Sequence, residues 1–348
     1  MNPALKRSTY RALWLILLVG LLWWALHKAP LQEIGAVLQQ LHLWQVAVIL
    51  AVNASLYVLI TLRWWIIVRA DAHQIPFLPL LGARVSAFGI SYFTLGPQVG
   101  GEPLQVLSLQ RKYGISYTRA TASVLLDKLL EFLVNFWLLA LGLAAVFQAG
   151  LLAESQVQFS ASIVLLAVLI LAVPLYLILL SHRRHPLTGL LGVVPFIPKK
   201  TRMVRFLRAA EWLAGRFCQR HPRLLLAALG ISMLAGAGML VDYALMLSFL
   251  GIHLPFWSSV AGWTAGWLAF LMPLPGGLGA LESSQVAALG FFGIPAALAL
   301  AVVLLMRARD LLVGGLGLLL ASQSLALDEQ NHNLYPSTPP ERRAERPL

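Results

Sequence analysis

Apolar residues run along this chain in stretches long enough to cross a bilayer, and the polar positions gather between those stretches rather than along one face of them. Ala12–Leu26, Leu43 to about Ile60, Ala120–Phe147, Ser160–Leu180, Leu224–Leu250 and Pro295–Ala321 approach or exceed the roughly 20 residues that a helix needs to span hydrocarbon. They predict about six transmembrane helices. Two further apolar regions are too short and are broken in the middle. Val85–Leu95 meets GPQVGGEP, Gly96–Pro103, before continuing through Leu104–Leu109, and Ser258–Leu271 meets MPLPGGLGALE, Met272–Glu282, before Ala280–Phe292. Pro273 and Pro275 each remove a backbone donor, and Gly276, Gly277 and Gly279 relax the chain, as Gly100 and Gly101 do in the first break. Open backbone in hydrocarbon costs several kcal/mol per group unless it is buried in protein or lines a wet cavity. Each broken region is therefore expected to be a re-entrant helical hairpin.

The charges between the runs set the expected orientation. Lys6, Arg7 and Arg11 hold the N-terminus in the cytoplasm, and Leu13–Leu26, which ends in Trp23 and Trp24 without a small-residue cleavage site, reads as a retained anchor. His27–Gln40, with Leu31, Ile34, Val37, Leu38 and then Leu41 at helical spacing, suits an interfacial helix on the outer face. Arg63, Trp64, Trp65 and Arg69 read as an aromatic belt with positive charge on the inner side. Positive charge also flanks the first hairpin at Arg111, Lys112 and Arg119, so it enters from inside. The His253–Trp257 loop carries no Lys or Arg, so the second dips in from outside. The longest cytoplasmic connection, 181–223, holds ten arginines and lysines against Glu211, and Met203, Phe206, Leu207, Ala210, Leu213 and Phe217 form an apolar stripe on a basic amphipathic helix for the anionic leaflet. Residues 1–321 form the membrane domain, and 322–348 read as a disordered cytoplasmic tail.

Composition fits this class. The 348 residues are 59% hydrophobic and 11% charged, with a mean hydropathy of +0.77, which makes the chain an all-α polytopic membrane protein. Topology explains the net charge of +12 without nucleic acid. The single cysteine, Cys218, excludes an internal disulfide and any multi-cysteine metal site. No Walker loop, GxSxG elbow or HExxH occurs, and His182 and His185 flank two arginines in a basic loop, so no cofactor, metal site or catalytic constellation is expected. Without an ATP site, any transport would be gradient-driven or passive.

The chain also repeats itself. Gly293-Ile294 stands 179 positions after Gly114-Ile115, and the same offset carries Lys128 onto Arg307, Glu131 onto Asp310 and Val134 onto Val313. Glu102 and Glu282 are 180 apart. Repeat 1 covers about 43–147 and repeat 2 about 224–321, in opposite orientation by the charge rule, a pattern that points to a transporter-type site where the repeats meet. Chance alignment of Leu/Ala-rich helices is the competing explanation, but it does not supply a doubled charge pair. Asp127, Lys128 and Glu131 lie within one span and Arg307, Arg309 and Asp310 within another, where each charge costs roughly 2.5 to 3.5 kcal/mol on insertion scales unless it faces the interior or water. Two readings are open: an ion-pair network that locks the repeats together, or a site in which the cations hold an anionic headgroup while a carboxylate takes a proton or an amine. Glu102 and Glu282 likewise either favour a half-helix N-terminus or stand beside amides that bind phosphate. Gly262 and Gly266 match the small-xxx-small pattern and predict close helix contact.

The order of GGE break, SVLLDKLLE, long basic loop and PLPGGLGALE, Pro273–Glu282, followed by a span with Arg307 and Asp310, resembles the lysylphosphatidylglycerol synthase transmembrane-region family over about Ala12–Ala321. The resemblance implies lipid translocation across a bacterial cytoplasmic (inner) membrane, commonly as a homodimer, with Glu102, Asp127, Glu131, Pro275, Gly276, Gly277, Gly279, Glu282 and Arg307 as the motif residues. The chain ends at Leu348 with no soluble aminoacyl-transferase domain, so a lipid-modifying enzyme is expected to be encoded separately. The expected function is a lipid flippase for an anionic phospholipid or a glycolipid. The alternatives are a non-transporting partner that presents lipid to a glycosyltransferase or synthase, and an integral-membrane transferase using Glu282 or Asp127 as base.

Overall fold

The computed structural model describes residues 39, 41–70, 74–94, 100–148, 156–182, 184–191, 202–272, 274 and 277–334. The expected first span and interfacial helix, and Pro273, Pro275 and Gly276, lie outside the described residues. Within them the chain is all-α. Eleven helices follow in order: α1 Leu43–Arg69, α2 Phe77–Phe93, α3 Glu102–Tyr113, α4 Tyr117–Gln148, α5 Gln156–Ser181, α6 Pro186–Leu191, α7 Arg202–Arg220, α8 Pro222–Phe249, α9 Phe256–Phe270, α10 Ala280–Phe291 and α11 Ala296–Leu334. Three of these, Leu43–Arg69, Tyr117–Val146 and Pro222–Phe249, are long and apolar enough to cross a membrane by length and composition. The last helix continues past Ala321 to Leu334, so of the tail placed at 322–348 only 335–348 fall outside the described residues.

Both broken regions are hairpins. Leu80 and Ala83 near the start of α2 share one apolar cluster with Leu109 near the end of α3, with Trp64 and Val68 near the end of α1, and with Ala120 and Val124 of early α4. Hairpin α2–α3 therefore opens at the end of the bundle where α1 finishes and α4 begins. Hairpin α9–α10 opens at the other end, because Val260 and Ala261 of early α9 cluster with Ala145 of late α4 and with Phe292 after α10. Glycine ends three of these helices in the left-handed conformation that a side chain resists: Gly114, Gly251 and Gly293 have φ of 65°, 73° and 77°. In each case the following isoleucine amide reaches back to a leucine carbonyl of the helix, Ile115 to Leu109 six residues earlier, and Ile252 to Leu247 and Ile294 to Leu289 five residues earlier. The Gly-Ile repeats seen in the sequence are these caps.

Packing pairs the helices of the two halves in a matching way. The first hairpin arm of each repeat lies on the last helix of the other, α2 on α11 and α9 on α4, while α1 lies against α8. Glycine permits the closest of these contacts. A Cβ at Gly89 would come within 2.6 Å of the Gly314 carbonyl oxygen, and one at Gly317 would fall onto the carbonyl of Val85. Overpacking such a contact costs about 1–3 kcal/mol, so Gly317→Ala is expected to lower the unfolding temperature of the detergent-purified protein. Gly230→Ala, which meets nothing within 4 Å, serves as the neutral comparison. Gly262 and Gly266 are close contacts as expected, against the Tyr243 hydroxyl and the Gln285 amide.

The basic helix α7 packs on α4 and α5. Its buried stripe is Val204, Ala210, Glu211, Ala214 and Cys218, rotated from the stripe read off the sequence; Phe206, Leu207, Leu213 and Phe217 are half-buried beside it. Small residues take the inner positions because the neighbouring backbone is close: a Cβ at Gly215 would fall onto the Leu180 carbonyl. Glu211 is fully buried and accepts the Leu187 and Thr188 amides at 2.8 and 3.1 Å, the Thr188 hydroxyl at 2.8 Å and the Tyr176 hydroxyl at 2.7 Å, which ties α5, α6 and α7 together. Burial pushes the Cys218 thiol up to about 11. Its alkylation is therefore expected to be slow at pH 8, where on the order of one thiol in a thousand is ionised, and to rise about tenfold per pH unit through pH 10. A cysteine placed at exposed Gln219 should level off near its ordinary pKa, and a stopped-time maleimide assay separates the two.

Candidate functional site

The two charge groups found in the sequence face each other across a cavity between the repeats. Its volume is about 230 Å³, just below the several hundred Å³ typical of sites that enclose whole small molecules. Repeat 1 contributes Arg84 from α2, Glu102 from α3, and Lys128 and Glu131 from α4. Repeat 2 contributes Asp242 from α8, and Arg309 and Asp310 from α11. The rest of the lining is mostly aromatic and apolar, with Tyr57, Phe88, Trp263, Trp267 and Phe270 beside the polar Asn53, Ser91 and Gln105, and the rings of Trp263 and Trp267 stack at 6.4 Å.

Repeat 1 is a closed network. Asp127, wholly buried, takes Arg63 Nε on one oxygen at 2.7 Å and Arg84 Nη2 on the other at 2.6 Å. Arg63 also reaches Glu131 at 3.4 Å and Ser232 of α8 at 3.3 Å, and Arg84 donates to the Ile60 carbonyl at 3.2 Å. Lys128 bridges Glu131 at 2.9 Å and Glu102 at 3.3 Å. Three cations meet three carboxylates, so the group is neutral when fully ionised, which is the condition for burying charge without a large desolvation penalty.

Repeat 2 holds a matching hairpin lock. Glu282 accepts the Gly279 amide at 2.8 Å and pairs with Arg307 at 2.7 Å, and Arg307 also reaches the Gly277 carbonyl at 3.4 Å. Glu102 does the same in repeat 1, accepting the Gly100 amide at 2.8 Å and pairing with Lys128. In both hairpins a glutamate at the start of the second arm satisfies a glycine amide of the break and grips a cation on the long helix that follows. Beyond this lock, Arg309 stands between two carboxylates, Asp310 at 2.8 Å and Asp242 in close contact.

Of the residues expected from the sequence, the fold brings Glu102, Lys128, Glu131 and Asp310 to the cavity wall. Asp127 lies behind the wall holding Arg84, and the Glu282–Arg307 pair with Gly277 and Gly279 fastens the second hairpin tip without lining the cavity. Gly101 lines it beside Glu102. Arg63 and Trp64, read as an inner-face belt, are instead 2% and 0% exposed in the core; Trp65 and Arg69 do form a cation–π pair, at 4.4 Å. The reason is Asp127, whose two oxygens need two cations from helices 64 and 43 positions away in sequence. Sequence reasoning also passed over Arg84, although a lone arginine in the otherwise uncharged run Phe77–Phe93 signals a buried partner.

Among proteins of known sequence family, the model of the lysylphosphatidylglycerol synthase TM region matches residues 11–317. The UPF0104 membrane protein PH1989 of Pyrococcus horikoshii is 24% identical over 267 residues, which is 70% of this chain and 76% of that protein. No solved structure matches.

Proposed function

Because this chain belongs to the lysylphosphatidylglycerol synthase transmembrane-region family, we propose that it carries the polar head of a phospholipid or glycolipid across the membrane through the cavity between its repeats. One observation supports this reading above the others: two hairpins that open at opposite ends of the bundle bring charged residues of both repeats to one chamber that aromatic rings also line. In a bilayer the hairpins are re-entrant, one from each leaflet, and broken backbone at that depth stands only where it borders protein or a wet cavity. The headgroup lies against Arg84, Lys128 and Arg309 while its acyl chains stay in lipid. The positively charged loops favour an orientation with both termini in the cytoplasm of a bacterial inner membrane. The lipid leaves chemically unchanged.

Proteoliposomes carrying acyl-labelled phosphatidylglycerol, phosphatidylethanolamine or a glucosyl lipid test this. Dithionite quenching should reach inner-leaflet label faster in vesicles with protein than without it, and Lys128→Gln should slow that step, since Lys128 holds Glu102 and Glu131 on the cavity wall. Equal rates with and without protein for all three lipids sink the proposal. A lipid recovered with altered mass would make the protein a transferase, and inactivity relieved by a co-purifying enzyme would make it a presenting partner.

A further inference from the structure

The geometry points to Asp242, sharing Arg309 with Asp310, as a proton-binding site in the cavity, and to that proton as the one coupled to headgroup movement. Charge counting locates it. Among the described residues, repeat 1 balances Arg63, Arg84 and Lys128 against Glu102, Asp127 and Glu131, and Glu282 balances Arg307, but Arg309 alone answers two carboxylates. The internal repeat explains the surplus. The residue 179 positions after Arg63 is Asp242, so repeat 2 carries an anion where repeat 1 carries the cation that closes its network. A second observation agrees: Asp242 is 3% exposed, lines the cavity, and its Oδ1 has no hydrogen-bond partner among the described residues. In repeat 1, by contrast, both oxygens of Glu102, Asp127 and Glu131 each meet a cation or an amide.

A buried carboxylate with half its acceptors unanswered and only a shared counter-ion is cheaper to keep neutral than charged. The groups around it reinforce this. Asp310 of α11 and, across the cavity, Glu131 of α4 and Glu102 of α3 oppose a further negative charge; Arg309, Arg84 and Lys128 favour it; Tyr57 of α1 and Tyr243 of α8 are neutral near pH 7; α9 lines the cavity with no titratable group. Cations and anions there number three and four, so one proton makes the lining neutral. Hydronium from cavity water forms the O–H bond at Asp242 Oδ1 and leaves water; the same bond breaks to water when the site faces the other leaflet. A headgroup bearing a positive charge would replace that proton, and a neutral or zwitterionic one would travel with it.

The coupling rests on the transport reading, whereas the proton site does not, so two measurements keep them apart. Infrared spectra of the reconstituted protein over a pH titration are expected to show one protonated-carboxyl band at pH 7. Asp242→Asn and Asp310→Asn should each abolish it, because either leaves one carboxylate for Arg309, and Glu282→Gln should keep it. A band that survives both neutralisations overturns the site, and Asp310→Asn carries the test if Asp242→Asn does not fold. In the dithionite assay an inward-directed and an outward-directed pH gradient should give different rates for wild type and equal rates for Asp242→Asn. Movement indifferent to the gradient in wild type overturns the coupling and leaves transport standing. No movement of any lipid beside a band lost in both variants supports the proton site and rejects the transport reading.

Discussion

Asp127→Ala is expected to cost more stability than any other single change in the membrane domain, about 3–5 kcal/mol or more, because it strands two buried guanidinium groups at once. Arg63 would keep Glu131 at 3.4 Å, but Arg84 would keep only the Ile60 carbonyl and the face of Trp64, neither of them an anion, and its Nε already has no partner among the described residues. The readout is the unfolding temperature and the monodisperse fraction in detergent. Asp127→Asn should lie between alanine and wild type, since an amide oxygen still accepts one guanidinium hydrogen bond without neutralising its charge. Replacing all three of Arg63, Arg84 and Asp127 by leucine or methionine should recover much of the loss, as buried ion networks often tolerate apolar substitution better than a missing partner. An alanine variant as stable as wild type would show that water reaches Asp127, and the closed network described above would be wrong.

That network also marks the boundary of what the sequence discloses. Hairpins, caps and repeat were legible because each is written locally: paired prolines and glycines interrupt an apolar run, Gly-Ile ends a helix, and Lys128 to Glu131 recurs as Arg307 to Asp310 at helical spacing. Which hairpin fastens to which helix was visible in outline through Glu102 and Glu282. The cations that close the site were not, since nothing near Arg63 or Arg84 in sequence hints at Asp127, and tryptophan neighbours gave Arg63 the look of an interface residue. Asp242 had no cation within helical reach, and its partner Arg309 lies 67 positions on. Its significance appears only when the offset of 179 sets it beside Arg63 and the fold sets it beside Arg309. Long-range ion pairing leaves an isolated charge as its only local trace, and an isolated charge in an apolar run is ambiguous between surface and core.

Arg307→Ala is expected to remove most headgroup movement while the protein stays folded, although Arg307 does not line the cavity. Its role is positioning: it holds Glu282 at 2.7 Å and the Gly277 carbonyl at 3.4 Å, and Glu282 holds the Gly279 amide, so one side chain fixes both the break and the first turn of α10 to α11. Charge-assisted hydrogen bonds of this kind are worth about 1.5–3 kcal/mol, which corresponds to a rate lower by roughly 10- to 100-fold if the lock is needed only while the hairpin moves. Arg307→Lys should recover part of the rate, because the equivalent position in the other repeat, Lys128, grips Glu102 with an ammonium at 3.3 Å. Glu282→Gln should be milder than Arg307→Ala, since the amide oxygen still accepts from Gly279, and the double variant should be no slower than Arg307→Ala alone because both changes open the same lock. A purely structural loss would instead lower the unfolding temperature in step with the rate, and lysine would rescue neither. Additive losses in the double variant would mean that Glu282 and Arg307 act separately, which the shared geometry of the two hairpin tips argues against.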